Sequence, residues 1–480
     1  MNSIYLLSLA VLGVTSFTAT ANSNVTSTVT DQTSLSMTVY QNNLAHIAET
    51  RSISLHKGIN RVAFEGISAN IQPESFTLHA TNAEQTHPIV LEQSFNYDLL
   101  TPQKLLDKYI GKEITIVRTD SISNEEKYLQ ATVLSTNGGI VLQVGNSIEI
   151  GMPEKIKFPA LPDNLYSQPT LLAKINVDMA TQNEVALSYL TGDLQWRADY
   201  IATVNETTNT LDLQALVTIS NQSGTDFDNV SINLIAGDVN RVEQRTHRPT
   251  RSLMKNRSNV ALESAVSTEV MGDYYLYTLP RKTNIQNKQS KQISLFQKSA
   301  IPIKKDYIFS SNPIGYYQQM NQSTEKTNAR IQITLQNRER NNLGIPLPRG
   351  IIRSYQYHAN KQLHYLGEDR IANIATGEEF TITLGQAFDI TASRKQLDFK
   401  QLSSFSHQRE NISESEYEIV LRNSNKLPVT VKVQESIPGD WKILDSNLDY
   451  QKIEANQAQW QITIPAENTT TLRYRVKINY

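Results

Sequence analysis

The segment Tyr189-Leu-Thr-Gly-Asp-Leu-Gln-Trp-Arg-Ala-Asp-Tyr200 sets Trp196, Arg197 and Asp199 between two strand patterns. Arg197 can pair with Asp199, or with Asp238 in the later stretch Ala236-Gly-Asp-Val-Asn-Arg-Val242. A charge pair beside a buried Trp fixes how sheets dock, or else marks a binding groove. Two further carboxylates, Glu368 and Asp369, follow Gly367. Two carboxylates meeting in a cleft, drawn from Asp193, Asp199, Asp238, Glu368 and Asp369, would supply the acid and base of a polymer hydrolase. The candidate binding residues are therefore Trp196, Arg197, Asp199, Asp238, Arg241, Glu368 and Asp369. For charge pairs of this kind the structural role is the commoner one.

Other chemistry is harder to find. The chain contains no Cys, which excludes disulfides, thiolate metal sites, iron–sulfur clusters and Cys nucleophiles. It has no Gly-x-Ser-x-Gly elbow, His-Glu-x-x-His helix, phosphate loop, dinucleotide fingerprint or EF-hand loop. Ser-x-x-Lys occurs at Ser54/Lys57, Ser252/Lys255 and Ser323/Lys326, without the companion motifs that make it catalytic. Of eight His, only His358 and His364 are close. An even separation puts them on one face if they share a strand. A metal there would still need Glu368 or Asp369, and ordinary surface or core histidines are the simpler reading. No catalytic residue, metal ligand or cofactor is assigned.

The elements that position these residues are strands. Leu211, Leu213, Ala215, Val217 and Ile219 alternate mostly with polar residues. The pattern resumes after Asn221-Gln-Ser-Gly at Val230, Ile232 and Leu234, which reads as a hairpin with one buried face. Similar alternation recurs to the C-terminus, where Leu472, Tyr474, Val476 and Ile478 are interleaved with Arg473, Arg475 and Lys477. The expected fold is all-β: several β-sandwich-like domains and few short helices. One helix is signalled, with Thr101 as cap, Pro102 in the first turn and Gly111 beyond the end. About five short strands follow it, so this segment resembles an SH3-like or Sm-like small barrel. Residues 241–257 carry Arg241, Arg245, Arg248, Arg251, Lys255 and Arg257 against Glu243 alone, and no period follows until Tyr274. That predicts a mobile loop over 243–273, either an interaction arm or a solvated excursion.

Composition bounds the role. In 480 residues, 45 basic side chains face 47 acidic ones, a net charge of −2 that gives no global attraction to nucleic acid or anionic membrane. Residues 4–14 form an apolar run, and Ala19-Thr-Ala21 supplies small residues for cleavage, the pattern of a secretory signal peptide. The run is short of the ~20 residues that a transmembrane helix needs. The mature chain is expected from about Asn22, exported to the periplasm or secreted, with no transmembrane segment and with its fold held by packing alone.

Several of these motifs, in order, resemble the bacterial exported family called domain of unknown function 4139, of the mucoidy-inhibitor-like group. Tyr189–Tyr200, Leu211–Val242 and Gly367-Glu-Asp carry the resemblance. Val39-Tyr-Gln-Asn-Asn-Leu-Ala45 and Asn60-Arg-Val-Ala-Phe-Glu-Gly66 are similar to its N-terminal β-region. Phe95-Asn-Tyr-Asp-Leu-Leu100 and the barrel segment match a subgroup without a coiled-coil insertion. Tyr277-Thr-Leu-Pro280, Leu343-Gly-Ile-Pro-Leu-Pro348 and Gly385-Gln-Ala-Phe-Asp389 match its C-terminal half. The resemblance implies an exported β-rich protein and no known activity. Where similar sequences carry His-Thr-Pro after Gly-Glu-Asp, this chain reads Asn373-Ile374-Ala375, which removes any site built on that His.

The expected organisation is a signal peptide at 1–21, an N-terminal β-domain at 34–95 and a small SH3-like barrel at 100–158. A central β-sandwich at 159–400 and a C-terminal β-sandwich at 401–480 complete it. The function expected is a non-catalytic envelope protein that presents a surface to an envelope protein or polymer, with no nucleic acid. A hydrolase of an envelope polymer using paired carboxylates is the alternative, and a surface adhesin or appendage component is a third.

Overall fold

The computed structural model describes residues 23–81, 88–96, 100–119, 124–162, 165–178, 181–237, 239–240, 267–271, 274–311, 316–320, 325–358, 360–402 and 412–479. The chain is all-β: sheets account for nearly every element, and one α-helix is present among the described residues. The expected signal peptide lies outside them.

Two compact units share the chain. The first comprises residues 1–195, 220–234 and 281–290; the second comprises 196–219, 235–280 and 291–480. Within the first, a four-stranded sheet is ordered Ser23–Ser27, Gly58–Glu65, Thr170–Val177, Ile89–Asn96, with only the first pair parallel. A second, eight-stranded sheet includes, as adjacent strands, Gln32–Tyr40, Leu44–Leu55, Thr181–Thr191 and Ile71–Ala80. The alternation of apolar residues gives each sheet one buried face, holding Met37, Val39, Ile47, Ile53, Val62, Phe64, Leu171 and Leu187. Phe64 of one sheet meets Phe76 of the other at 5.9 Å between ring centroids. The two faces therefore pack as a sandwich.

A buried ion pair lies inside it. Arg51 is fully buried, and its Nη2 contacts Glu49 Oε1 at 3.0 Å. Its Nη1 donates to the Ser27 and Glu65 carbonyls, each at 3.0 Å, so one guanidinium ties the second sheet to two strands of the first. The Gln32 amide donates to the other Glu49 oxygen. Such a pair is costly to bury, and the bonds to both terminal guanidinium nitrogens and both Glu49 oxygens offset that cost, although Arg51 Nε has no partner.

The expected small barrel is present in strand order. Helix Pro102–Lys108 is capped by Thr101, whose Oγ1 accepts from Lys104 N at 3.2 Å. Five strands follow in the sheet order Ser147–Ile150, Val141–Val144, Glu126–Ser135, Glu113–Thr119, Lys155–Lys157. A core of its own holds Leu106, Tyr109, Ile114, Ile116, Ala131, Val133, Ile140 and Leu142. Arg118 and Glu149 form an ion pair between strands that are not neighbours in the sheet.

In the second unit, one sheet runs Gln289–Pro302, Thr210–Asn221, Leu194–Asn205, Gly350–Tyr357, Leu363–Ile371. A larger sheet runs Asp440–Ser446, Asn468–Asn479, Ile412–Asn423, Glu379–Gln401, Glu325–Gln336, Lys304–Ser310, Val429–Ser436, Gln457–Ile464, Tyr450–Glu454. Strand Glu379–Gln401 crosses position 400, so segments from either side of it share one sheet. The core beneath includes Tyr316, Tyr417, Trp460 and Tyr474. Of the loop expected over 243–273, residues 243–266 lie outside the described residues, and 267–271 are not loop. Ser267–Met271 is a strand, paired in register with Tyr274–Thr278. Five residues are too few for periodicity to reveal, and the hairpin partner supplies the hydrogen bonds that make them a strand.

Candidate functional site

Strand Leu194–Asn205 presents two different faces. Leu194, Trp196, Ala198, Tyr200 and Ala202 alternate into the core. Trp196 Nε1 donates to the Ile235 carbonyl at 3.1 Å, and its ring meets Tyr277 edge-on at 6.3 Å. This Trp is an interior anchor. Arg197 and Asp199 project from the opposite face.

Asp199 sits on that outward face, yet its side chain is only 4% exposed, because donors surround it. Oδ2 accepts from Arg197 Nε at 3.1 Å and from Thr218 Oγ1 at 2.6 Å, and Oδ1 accepts from Arg353 Nη1 at 3.2 Å. Burial works against the ionised carboxylate, but the hydrogen bonds from Thr218, Arg353 and Arg197, with the Arg197 charge, outweigh it. The Asp199 carboxyl is therefore held below the usual carboxylate range. Arg353 turns its Nε to Glu368 Oε2 at 3.3 Å. Gln292 Nε2 extends the line by donating to Thr218 Oγ1 at 3.3 Å. One polar row thus crosses all five strands: Gln292, Thr218, Asp199 with Arg197, Arg353, Glu368.

Two glycines make the row possible. A Cβ on Gly350 would lie 2.2 Å from the Ala198 carbonyl oxygen, so only Gly lets strand Gly350–Tyr357 run parallel against Leu194–Asn205 this closely. A Cβ on Gly367 would lie 2.0 Å from the Leu384 carbonyl oxygen. Gly367 also sits at a register shift: Ser354 pairs with Gly367, but Tyr355 pairs with Tyr365. The extra residue there is a β-bulge, and it brings Tyr365 and Glu368 to the same face as Tyr355 and Arg353.

The sequence-predicted residues therefore separate. Arg197, Asp199 and Glu368 come together, and Arg197 pairs with Asp199. Asp369 does not join them: its Oδ2 accepts from Thr383 N at 2.7 Å and its Oδ1 from Arg370 N at 2.8 Å. Asp193 bonds elsewhere, accepting from Asn43 at 3.1 Å and Asn70 at 2.8 Å. Asp238 and Arg241 lie outside the described residues, as does the basic segment 241–257. His358 and His364 do not share a strand. They flank the turn of the hairpin Gly350–Tyr357/Leu363–Ile371, with ring centroids 5.7 Å apart, because the intervening residues reverse the chain. Among the described residues no group of three or more His, Asp or Glu is placed to hold a metal ion. Asn373, at the position of the missing His, has its Oδ1 accepting from Arg349 N at 2.7 Å.

Sequence reasoning passed over Arg353, Thr218, Gln292 and the tyrosines Tyr355, Tyr357 and Tyr365. The signal for the tyrosines was available in the alternation Arg353-Ser-Tyr355-Gln-Tyr357, which places three large residues on one face. It also passed over a buried cluster in the larger sheet. Glu435, 1% exposed, accepts from the hydroxyls of Tyr316 and Tyr474 and contacts Arg394 Nη2 at 3.1 Å. The Arg394 guanidinium lies 3.8 Å from the centre of the Tyr417 ring. Burial, then the Glu435 charge, pushes the Tyr316 phenol up. Enclosed in the core, this cluster fixes side-chain geometry rather than meeting a ligand.

Chemically, the row is a set of matched charges. An Asp199 carboxyl held ionised is a poor proton donor, and its oxygens are already taken by three donors. Arg353 separates Asp199 from Glu368, which is the arrangement of a lock and not of a proton-sharing pair. Among the described residues no helix is long and apolar enough to cross a membrane. No curated protein matches the chain. The family Domain of unknown function (DUF4139) matches over residues 185–480, more than half of the chain and all of the residues in the row. The chain belongs to that family.

Proposed function

We propose that the protein is an exported, non-catalytic binding or scaffold component of the bacterial envelope. The mature chain begins near Asn22, and the five-stranded sheet of its second unit presents the surface that a partner meets. The observation that carries this reading is the row Arg197–Asp199–Arg353–Glu368, in which every charge is held by an opposite one. Such a surface is rigid before a partner arrives, so little side-chain entropy is lost on binding. The affiliation with a mucoidy-inhibitor-like group without a coiled-coil insertion belongs to the same proposal. So do residence in the periplasm or outside the cell and the absence of nucleic acid among the partners.

The test is retention of envelope material by the immobilised mature chain, read for both protein and carbohydrate. Saturable retention that Arg353→Ala weakens at least tenfold supports the reading. Absence of saturable retention from envelope extract rejects it. The hydrolase alternative predicts that Asp199→Asn and Glu368→Gln abolish release of soluble fragments from envelope polymer. No release by the wild-type chain removes that alternative.

A further inference from the structure

Beyond the charged row, the same sheet face ends in aromatic rings. Tyr355 and Tyr365 are cross-strand partners with ring centroids 5.7 Å apart, in an edge-to-face arrangement. Tyr357 is two residues further along the same strand and same face, and Leu363 lies opposite it. Tyr357 is 61% exposed and Tyr365 55%, although Tyr side chains at a sandwich surface have ample apolar area to bury. Tyr355 and Tyr357 are about 6.6 Å apart along the strand, from the rise of ~3.3 Å per residue.

Charge decides what these rings suit. Arg197 and Arg353 are matched by Asp199 and Glu368, so the row next to the tyrosines offers an ionic polymer no net attraction. Arg370, opposite Ile351, adds a positive charge only at the far end from the tyrosines. What remains is a cluster of phenol rings, Tyr355 and Tyr365 edge-to-face, leading into planar guanidinium and carboxylate groups fixed in place. Aromatic faces carry negative potential and attract the polarised C–H bonds on one side of a pyranose. Planar donors and acceptors in a fixed array suit neighbouring hydroxyls. A neutral polyhydroxylated chain is complementary to both features at once.

We infer that the outer face formed by Tyr355, Tyr357, Tyr365, Arg353 and Glu368 is a binding site for a neutral polysaccharide. This rests on the proposed binding role and names its ligand class. Sugar rings lie on Tyr357 and Tyr365, and hydroxyls reach the exposed edges of Arg353 and Glu368. The matched charges keep those edges in place without drawing in anionic polymers.

The experiment is electrophoresis of the mature chain in native gels that contain hydroxyethylcellulose, laminarin, dextran or galactomannan, with alginate as the anionic polymer. Retardation by at least one neutral polymer is expected. It should fall at least tenfold in the double variant Tyr357→Ala/Tyr365→Ala, and persist in Tyr357→Phe, which keeps the ring. Ile150→Ala, at an exposed apolar residue of the small barrel, should leave it unchanged. Circular dichroism confirms that the variants are folded. No retardation in any neutral gel overturns the inference. So does retardation by alginate alone, indifference to the tyrosine substitutions, or equal loss in Ile150→Ala. If the immobilised chain retains a protein partner while every neutral gel is negative, the binding role stands and the polysaccharide falls.

Discussion

Arg353 donates to Asp199 across a parallel pair of strands, Nη1 to Oδ1 at 3.2 Å, while the same guanidinium holds Glu368 on its other neighbour. One side chain therefore fastens three adjacent strands on their outer face. Parallel pairs lack the short hairpin connection that sets antiparallel register, so a side-chain tie of this kind helps fix the alignment of Leu194–Asn205 with Gly350–Tyr357.

Removing the carboxylate exposes the cost. Asp199→Asn removes the counter-charge that Arg197 and Arg353 share, turns one acceptor oxygen into an NH2 donor facing other donors, and should destabilise this sheet by about 1–3 kcal/mol. Amide hydrogen exchange in Gly350–Tyr357 should then quicken by about fivefold to a hundredfold, since 1.4 kcal/mol is a factor of ten. Unchanged exchange there would mean that the tie does not hold the strands.

The same carboxyl sets a pH dependence. Its folded value lies below the usual carboxylate range, so the stabilisation is present above the unfolded value of about 3.9 and is lost as pH falls through the folded one. The stability gap between wild type and Asp199→Asn should be widest near neutrality and close in acid. Chemical denaturation of both chains from pH 7 to pH 3 measures it, and a gap that widens in acid would contradict the assignment.

Gly350→Ala places a Cβ where the Ala198 carbonyl oxygen already stands. The parallel pair must separate, at about 1–3 kcal/mol or more. Limited proteolysis should cut the 194–205 or 350–371 segments well before the wild-type chain is cut, whereas Gly192→Ala, whose Cβ would meet only the Asn70 carbonyl oxygen at 3.9 Å, should be far milder.

Inside the first unit, Arg51→Met leaves Glu49 buried without its counter-charge and should cost about 3–5 kcal/mol. Pairing it with Glu49→Leu removes both charges and should recover much of that loss. Urea unfolding of the two variants shows the difference, and a double variant as unstable as the single one would argue that the pair itself stabilises the sandwich.

How much of this was legible depends on the distance over which each feature is decided. The helix at Pro102–Lys108 was readable because Thr101 and Pro102 act within a single turn. Strands such as Thr210–Asn221 were readable because period-two alternation is a local consequence of one buried face. Pairing was not. Thr170–Val177 lies between Gly58–Glu65 and Ile89–Asn96, partners far earlier in the chain, and alternation says which face is buried without saying which strand is adjacent.

The site shows the same division. Arg197 and Asp199, two apart on a strand, could be matched by eye. Their link to Arg353 needed a parallel pairing across about 150 residues of sequence. Glu368 and Asp369 are neighbours in sequence, and the strand alternation turns them to opposite faces, one to Arg353 and one to the Thr383 amide. By itself the sequence determined an all-β chain, its apolar and polar faces and its family motifs, because these follow from local periodicity and residue type. Only the tertiary structure decided which strands adjoin, and so which charges meet and where the tyrosines stand exposed. Contact between distant segments depends on register and bulges, and no local pattern encodes those.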